Sequence, residues 1–336
     1  MHAWLCENPI GVQALRWAEL PTPEPAPGQV RIAVHAASLN FPDLLTVQGK
    51  YQVKPPLPFV PGSEFSGTVD AVGEGVSHLK AGDRVATIGV TGGFGTHACV
   101  SAAQVLPLPA GFDLDDAAGF AFTYGTSYHA LIDRAALRAG ETVLVLGAAG
   151  GVGSAALQIA KAAGARVIAA VSNPDKAGFC LRLGADATID YGRENLRDAL
   201  KALTDARGPD VVYDPVGGDL AEAAFRSIAW RGRYLAIGFA AGPIPSLPLN
   251  LPLLKGAAIV GVFWGEFVRR EPKVMQQQMG QLVAWYGQGL VKPAIDAGVP
   301  NLARNPEELR TANALFGSTW GVMLAVGAAL GGVFSE

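Results

Sequence analysis

The chain has 336 residues, of which 50% are hydrophobic and 16% are charged, and its formal net charge is −3. This composition excludes a disordered chain, and the length is enough for two domains with a large buried core. The small negative charge and the lack of a basic run argue against binding to nucleic acid or to an acidic membrane, so we expect a small-molecule partner.

The three cysteines, Cys6, Cys99 and Cys180, are scattered along the chain. They form neither a CxxC metal motif nor a local disulfide framework, which fits a reducing cytoplasm. The first residues, MHAWLCENPI, lack a basic region followed by a long apolar core. We therefore predict no signal peptide and a cytoplasmic protein.

The first 120 residues are typical of β-structure. The segments QVRIAVHAASLN and FSGTVDAVG are rich in β-branched residues, and turn clusters such as PTPEPAPGQ and GEGVSHLKAGDR separate the runs. No long helical period is found before residue 115. These features predict a β-rich first domain over residues 1–120.

From about Asp115, short apolar runs alternate with alanine-rich helical stretches. The predicted strands are TVLVLG, ARVIAAV, DATID, DVVYDP and GRYLAIG, and the predicted helices lie near 151–164, 174–183, 193–204 and 219–229. This alternation predicts an α/β domain with a doubly wound parallel sheet of the Rossmann type, over residues 121–265.

After Leu249 the run PLLKGAAIVGVFWG predicts one more strand, and a helical stretch follows from Glu271 to Gly287. We expect residues 266–336 to return to the first domain. The uncharged segment from Leu315 to Phe334 is about long enough to cross a bilayer, but it contains five glycines and has no basic flanks. A buried strand near Val322–Val326 with an apolar tail is therefore favoured over a membrane span.

A glycine-rich turn lies between the first two predicted strands of the α/β domain. In GAAGGVGSAA, the residues Gly151, Gly153 and Ala156 satisfy the pattern G-x-G-x-x-G/A, after a strand and at the start of a helix. Such a turn lets backbone N–H groups approach a pyrophosphate at a helix N-terminus. We predict that Gly150, Gly151, Val152 and Gly153 bind a dinucleotide; the alternative is that the glycines serve only tight packing.

The end of the second strand indicates which dinucleotide is bound. NAD sites usually place an acidic residue there, whereas this chain has SNPDK, with Ser172 and Lys176 available and Asp175 only at the start of the next helix. A serine hydroxyl and a lysine ammonium would suit a 2′-phosphate, so we predict NADPH. The same residues also form a helix start, with Pro174 in its first turn.

Two long motifs give the chain a family resemblance. GSEFSGTVDAVGEGV and GETVLVLGAAGGVGSAALQIAK, the second with Gln158 and Lys161 in place, resemble the medium-chain dehydrogenase/reductase superfamily, in particular its zinc-free quinone oxidoreductase (zeta-crystallin-like) branch. LNFPDLLTVQGKYQVKPPLPFVPGSE is similar to the first active-site segment of that family. The resemblance implies a Rossmann domain inserted in a β-rich GroES-like catalytic domain.

The chain departs from the zinc alcohol dehydrogenases of this superfamily. It has NFPD at the position of a metal-binding cysteine, Ser63 at the position of a histidine, and no four-cysteine lobe. The resemblance therefore implies that no metal is bound. Near the end of the chain, Gly321 is followed by Val322 where the family has a lysine, so that cofactor contact is not carried over.

The resemblance also implies roles for individual residues. Asn40 and Tyr51 lie in the segment that lines the nicotinamide side of related enzymes, and we take both as catalytic candidates. Tyr51 matches a tyrosine that delivers a proton in enoyl-thioester reductases; its alternative role is to pack as a pocket wall. Thr126 is expected near the carboxamide or the ribose, or else caps a helix start. We expect His129 to be a packed core residue.

Further cofactor contacts are expected from three more segments. Tyr191 resembles a residue that stacks near the adenosine phosphate, or it only ends a strand. Gly238 and Phe239 close the AIGF strand on the side expected to face the cofactor. Phe263 and Trp264 resemble aromatic residues of a pocket or cofactor loop, or they belong to an edge strand at a dimer contact.

The expected reaction follows from the absence of a Lewis acid in this branch. Without one, alcohol oxidation is difficult, whereas a quinone or an α,β-unsaturated carbonyl accepts a hydride directly. We therefore predict an NADPH-dependent quinone or enone reductase that forms a homodimer through the apolar segment GAAIVGVFW. One alternative is a 2-enoyl-thioester or haloacrylate-type reductase, with Arg269 and Arg270 binding an anion. Another is a non-enzymatic NADPH-binding protein of the crystallin or RNA-binding kind.

Overall fold

A computed structural model describes residues 1–88 and 91–295 and the backbone of Arg310–Thr311. In chain order, the strands are β1 His2–Cys6, β2 Leu15–Glu19, β3 Gln29–Ala37, β4 Phe65–Val72, β5 Arg84–Thr87, β6 His97–Ser101, β7 Val105–Pro107, β8 Thr142–Leu146, β9 Arg166–Val171, β10 Ala187–Asp190, β11 Val211–Asp214, β12 Arg233–Ala236, β13 Ala258–Gly261 and β14 Arg310–Thr311. The helices are α1 Phe41–Val47, α2 Leu114–Ala118, α3 Ala121–Tyr128, α4 Gly151–Ala162, α5 Pro174–Arg182, α6 Leu196–Leu203, α7 Asp219–Ser227, α8 Asn250–Lys255, α9 Trp264–Arg270 and α10 Pro272–Gly287.

The chain forms two compact units. The first contains Met1–Phe122 and resumes at Pro293, and the second contains Thr123–Lys292. The second unit thus extends beyond the boundary that we predicted at residue 265. Helices α9 and α10 belong to it, and Trp264 of α9 packs directly against α3 of the same unit.

The first unit is β-rich, as predicted. Its larger sheet has the order β14-β3-β4-β5-β7, with β6 paired to β3, and the pairings among β3 to β7 are antiparallel. Strands β1 and β2 form a separate antiparallel pair. Alternate residues of β3 and β4, among them Val30, Ile32, Phe65 and Val69, are buried in the core. This burial matches the period-2 pattern of half-buried strands.

The second unit contains a six-stranded parallel sheet with the order β10-β9-β8-β11-β12-β13. Its central strands are buried along almost their whole length, which is why they are continuous apolar runs in the sequence. The predicted fold class, a GroES-like domain with a Rossmann-type parallel sheet, is confirmed.

One predicted strand is shorter than predicted. The run PLLKGAAIVGVFWG contains the strand as the four-residue β13, between the end of α8 and the start of α9. Gly256 ends α8 in the left-handed conformation, and burial of Trp264 places the aromatic end of the run in a helix. Short apolar runs have no decisive period, so packing determines their structure.

The segment Leu315–Phe334, with its predicted strand near Val322–Val326, lies outside the described residues. Within residues 1–88 and 91–295, no helix combines the length and hydropathy that a membrane span requires.

Candidate functional site

The predicted glycine turn connects β8 to α4. Gly147 follows β8 in the left-handed conformation, and α4 begins at Gly151. A Cβ atom on Gly153 would lie 2.4 Å from the carbonyl oxygen of Gly147 and 2.9 Å from Cα of Ala148. Both are backbone atoms, so the first turn of α4 lies directly against the end of the strand. No side chain caps α4, so its first N–H groups are available to an anion.

A buried pair of hydroxyl groups, those of Ser127 and Tyr213, is hydrogen-bonded to this turn. Ser127 Oγ lies 2.8 Å from the carbonyl oxygens of Val152 and Thr123, and 2.9 Å from the hydroxyl of Tyr213. Ser127 donates its single hydrogen to these carbonyl groups, so the Tyr213 hydroxyl donates to Ser127. Both side chains are fully buried, and burial raises the pKa of Tyr213. The pair links α3 and β11 to the first turn of α4.

Thr126 lies next to this pair, inside α3. Because α3 begins at Ala121, Thr126 does not cap a helix start, and that alternative is wrong. The side chain is buried. Its contact with a cofactor stays a prediction.

Three predicted cofactor residues come together where β9 and β10 end. Lys176 Nζ donates a hydrogen bond of 2.9 Å to Ser172 Oγ, and the Tyr191 hydroxyl is also hydrogen-bonded to Ser172. Partial burial lowers the pKa of Lys176 and raises that of Tyr191. Asn173 caps α5 by accepting a hydrogen bond of 3.0 Å from the backbone N–H of Lys176, so the predicted helix start is also present. The cluster offers one cation and two hydroxyl groups to an anion.

The predicted residues Gly238 and Phe239 follow β12, at the edge where the parallel strands end. The side chain of Phe239 is exposed. Buried Asp214, the last residue of β11, stabilises the loop that follows this strand. Its Oδ1 accepts hydrogen bonds of 2.7 Å from the backbone N–H of Val216 and 2.8 Å from that of Gly217. The hydroxyl of Tyr234 donates to Oδ2 of the same carboxylate. We did not anticipate Asp214, although an acidic residue at the end of a buried strand was a signal.

The two aromatic residues that precede and begin α9 have different surroundings. Phe263 is 55% exposed, whereas Trp264 is 5% exposed. A Cβ atom on Gly125 of α3 would lie 2.6 Å from the Trp264 ring, so Trp264 is a packing residue. Phe267 stacks on His129 with ring centroids 3.9 Å apart, and burial lowers the pKa of His129, which fits the predicted core position.

In the first unit, Asn40 belongs to a buried polar network around Glu64. Glu64 Oε2 accepts hydrogen bonds from Ser38 Oγ at 2.6 Å and from Asn40 Nδ2 at 3.0 Å, and Oε1 accepts one from the backbone N–H of Phe122 at 2.7 Å. Asn40 Nδ2 also donates to Ser38 Oγ at 2.8 Å. Ser38 Oγ and Glu64 Oε2 are only 2.6 Å apart, so the amide nitrogen of Asn40 reaches both oxygens in nearly the same direction, and the network holds the amide group in place.

A second buried carboxylate lies beside this network. Asp43 Oδ2 accepts a hydrogen bond of 2.9 Å from the backbone N–H of Asn40, and Oδ1 accepts one of 2.9 Å from that of Ser63. Tyr51 is half-buried; burial and, secondarily, the negative charge of Asp43 raise the pKa of its phenol. The phenol is therefore protonated at neutral pH, which suits both a proton donor and a pocket wall.

Comparisons with known proteins show the family of this chain. The family described as "Zinc-binding dehydrogenase" matches residues 151–284, and "Alcohol dehydrogenase GroES-like domain" matches residues 26–110. The chain is 41% identical over 302 residues to Quinone oxidoreductase-like protein 2 of Mus musculus, covering 87% of this chain and 83% of that protein. The chain belongs to the quinone oxidoreductase-like family. This family is part of the medium-chain dehydrogenase/reductase superfamily, so the predicted resemblance is confirmed.

Solved structures of the family share the fold. Escherichia coli quinone oxidoreductase complexed with NADPH superposes with a TM-score of 0.82 at 29% identity, over 89% of this chain and 92% of that chain. The quinone oxidoreductase from Thermus thermophilus, also described in complex with NADPH, gives a TM-score of 0.75 at 35% identity, over 88% and 90%. This quinone oxidoreductase-like protein is thus an oxidoreductase with an NAD(P)-type cofactor.

The name of the matching family raises the question of zinc. Among residues 1–88 and 91–295, no group of three or more His, Cys, Asp or Glu side chains could hold a metal ion. In the segment where related dehydrogenases place metal ligands, Asn40, Asp43 and Glu64 are engaged in internal hydrogen bonds. The residues in this segment therefore do not fit a zinc ion.

The two buried carboxyl groups predict a pH-dependent stability. Burial raises the pKa of Asp43 from 3.8 to about 6 and that of Glu64 from 4.5 to about 7. The folded chain therefore binds protons more tightly than the unfolded chain, so the free energy of unfolding should fall as the pH rises through this window. The expected loss is on the order of 1.4 kcal/mol per unit of pKa shift.

Urea unfolding between about pH 4 and pH 8 measures this slope. Glu64→Gln should flatten the curve between pH 4.5 and about 7, whatever its effect on stability itself. The matched control Glu74→Gln removes an exposed carboxyl group and should keep the slope of the parent protein. A slope unchanged by Glu64→Gln would contradict the raised pKa of Glu64.

Proposed function

We propose that this protein is an NADPH-dependent reductase that transfers a hydride to a quinone or an α,β-unsaturated carbonyl without a metal ion. The observation that carries the proposal is the cluster of Ser172, Lys176 and Tyr191 at the end of β9, in the same unit as the glycine turn. A cation with two hydroxyl groups matches a 2′-phosphate better than a free ribose 2′-hydroxyl. Two related structures are described as complexes with NADPH, which supports the choice.

When bound, NADPH supplies the hydride. The first N–H groups of α4 bind the pyrophosphate, and Lys176 pairs with the 2′-phosphate. Asp214 keeps the neighbouring loop in place through its backbone hydrogen bonds. We assign Asn40 and Tyr51 to the substrate, with the Tyr51 phenol as the hydrogen donor. Thr126, Gly238, Phe239 and Phe263 remain proposed cofactor contacts.

A second candidate function is the reduction of a 2-enoyl thioester. The protonated phenol of Tyr51 favours it, and a solved structure described as CurK enoyl reductase shares the fold at 26% identity with a TM-score of 0.77. The haloacrylate alternative depends on Arg269 and Arg270 binding an anion. Both form ion pairs of 2.6 Å with Glu266, whose single carboxylate balances half of their combined charge within α9.

The deciding experiment is NADPH oxidation with a quinone, an enone and an enoyl thioester, measured side by side with one preparation. Turnover of the quinone or the enone above the thioester supports the leading proposal. Turnover of the thioester alone supports the second candidate. Tight NADPH binding with no turnover of any acceptor would contradict both and support a binding protein.

The cofactor choice predicts a selective effect of Lys176→Ala. Loss of one charge-assisted contact should weaken NADPH binding about tenfold, or about 1.4 kcal/mol, and leave the dissociation constant of NADH nearly unchanged. Fluorescence titration with each nucleotide measures both values. The control Lys201→Ala removes an exposed lysine of α6 and should change neither. Equal weakening of both nucleotides by Lys176→Ala would contradict the 2′-phosphate contact.

Metal analysis tests the proposed zinc independence. Because the carboxyl groups of Asp43 and Glu64 already accept hydrogen bonds inside the chain, elemental analysis of purified protein should find much less than about one zinc ion per chain. A strong chelator should leave NADPH-dependent turnover intact. Stoichiometric zinc, with loss of turnover on chelation, would overturn this part of the proposal.

A homodimer and a cytoplasmic location also remain proposals. The edge strand β13 is largely exposed and apolar, with Ile259 at 45% exposure, and it has only one neighbour, β12, in the sheet of the described residues. An unpaired apolar edge of this kind is a template for strand pairing with a second copy of the chain.

A further inference from the structure

The glutamine of the quinone oxidoreductase motif, Gln158, lies in α4, about two helical turns after Gly151. Its side chain is buried and bonds to the backbone of Lys292 with both ends of its amide. Nε2 donates a hydrogen bond of 3.0 Å to the Lys292 carbonyl oxygen, and the Lys292 N–H donates one of 2.7 Å to Oε1. A primary amide is the side-chain group that offers a donor and an acceptor side by side, as a neighbouring peptide group would.

Lys292 lies where the chain passes from the second unit to the first. It ends the continuous segment Thr123–Lys292 of the second unit, and the chain enters the first unit at Pro293. Helix α10 has ended at Gly287, and Val291, Lys292 and Pro293 belong to no helix or strand. Gln158 thus supplies to this crossover segment, Val291–Pro293, the pair of hydrogen bonds that a sheet neighbour would supply to a strand.

The same helix therefore carries two contacts at different positions. Its N-terminus forms the glycine turn, where the proposed function places the pyrophosphate of NADPH, and its buried middle holds the crossover segment. An α-helix moves as a rigid element over this length, so fixing its first turn also fixes Gln158. A ligand that favours the position of α4 in this structure therefore also favours the hydrogen-bond pair at Lys292.

We infer that Gln158 is a positioning residue that couples occupancy of the NADPH site to the ordering of the crossover segment. This inference rests on the proposed binding of NADPH at the glycine turn. Coupling between two sites is reciprocal. The factor by which NADPH stabilises the Gln158–Lys292 pair must equal the factor by which the closed pair improves NADPH affinity.

Amide hydrogen exchange of the full-length protein, with and without NADPH, tests the inference. In the parent protein, NADPH should slow amide exchange in the glycine turn. It should also slow exchange at Lys292 and its neighbours, by at least about fivefold. In Gln158→Leu, the effect at Lys292 should vanish, and NADPH affinity should fall by a similar factor. Gln158→Glu keeps the acceptor for the Lys292 N–H but loses the donor, so it should give an intermediate effect.

Lys161→Met is the matched control. Lys161 lies three residues further along α4 and pairs at the surface with Asp186, at 2.8 Å. Its loss should leave the NADPH effect at Lys292 unchanged, even if the variant is less stable. A purely structural role for Gln158 predicts a lower melting temperature with the NADPH effect retained, so retention of the effect in Gln158→Leu would overturn the coupling.

Two outcomes in the parent protein separate this inference from the proposed function. If NADPH slows exchange in the glycine turn but not at Lys292, the cofactor assignment stands and the coupling is wrong. If NADPH changes neither segment, the cofactor assignment fails and the coupling fails with it. Should Gln158→Leu not fold, the parent protein and Gln158→Glu still decide between these results.

Discussion

Gly153→Ala should weaken NADPH binding at least about 100-fold, equivalent to about 2.7 kcal/mol, and should lower the free energy of unfolding by about 1–3 kcal/mol. The added methyl carbon would lie 2.4 Å from the Gly147 carbonyl oxygen and 2.9 Å from Cα of Ala148. Neither atom belongs to a flexible side chain, so the turn itself must move. That movement would take the first N–H groups of α4 away from the pyrophosphate.

Calorimetric titration with NADPH and urea unfolding measure the two effects separately. Gly280→Ala in α10 is the matched control, because it is also a glycine inside a helix and a Cβ atom there would meet no heavy atom within 4 Å. It should leave NADPH binding unchanged and add up to about 1 kcal/mol of stability. Normal NADPH affinity in Gly153→Ala would mean that the phosphates bind elsewhere.

The parts of the second unit that could be predicted are those whose contacts are local in sequence. The turn between β8 and α4 and the residues Ser172 and Lys176 after β9 follow from strand–helix alternation, because parallel strands end at one edge of the sheet. The 2.9 Å bond between Lys176 and Ser172 spans one helical turn of chain. β-Branched runs and turn clusters predicted the β-rich first unit, and the family motifs added its GroES-like fold, because no local pattern determines long-range strand pairing.

The details that could not be predicted depend on partners distant in sequence. Asn40 was a catalytic candidate from the sequence, but only the pairing of β3 with β4 brings Glu64 next to it and holds its amide group in a buried network. Trp264 could not be placed in a helix without knowing that Gly125 leaves room for its ring. The role of Ser127 could not be predicted from the alanine-rich stretch around it, because that role depends on a hydrogen bond to Tyr213, which forms only in the folded chain.

Tyr51→Phe should affect the two proposed enzyme activities differently, because their products are protonated in different ways. Hydride addition to an enoyl thioester leaves an enolate that must be protonated at carbon, and a positioned phenol accelerates such a step about 10²–10⁴-fold. A reduced quinone carries its charge on oxygen, which water protonates readily. Burial and the charge of Asp43 raise the pKa of the Tyr51 phenol, so it keeps its proton until a strong base such as an enolate carbon develops beside it.

If thioester reduction is the native activity, Tyr51→Phe should reduce kcat for the thioester at least about 100-fold, with NADPH affinity and quinone turnover unchanged. Steady-state kinetics with both acceptors, together with NADPH titration, measure this. Tyr128→Phe is the control, because it removes a half-buried phenol whose ring contacts Trp285 in the second unit. It should affect neither activity.

The dependence of thioester turnover on pH shows whether Tyr51 donates a proton or only packs in the site. A phenol that donates in the rate-limiting step makes thioester turnover fall at high pH, once the phenol ionises, and the raised pKa of Tyr51 places that fall above the usual value of 10.0. Tyr51→Phe should lose this alkaline limb together with the rate. If the variant keeps full activity on both acceptors, the phenol only packs against the substrate, and the quinone or enone becomes the acceptor that the site supports.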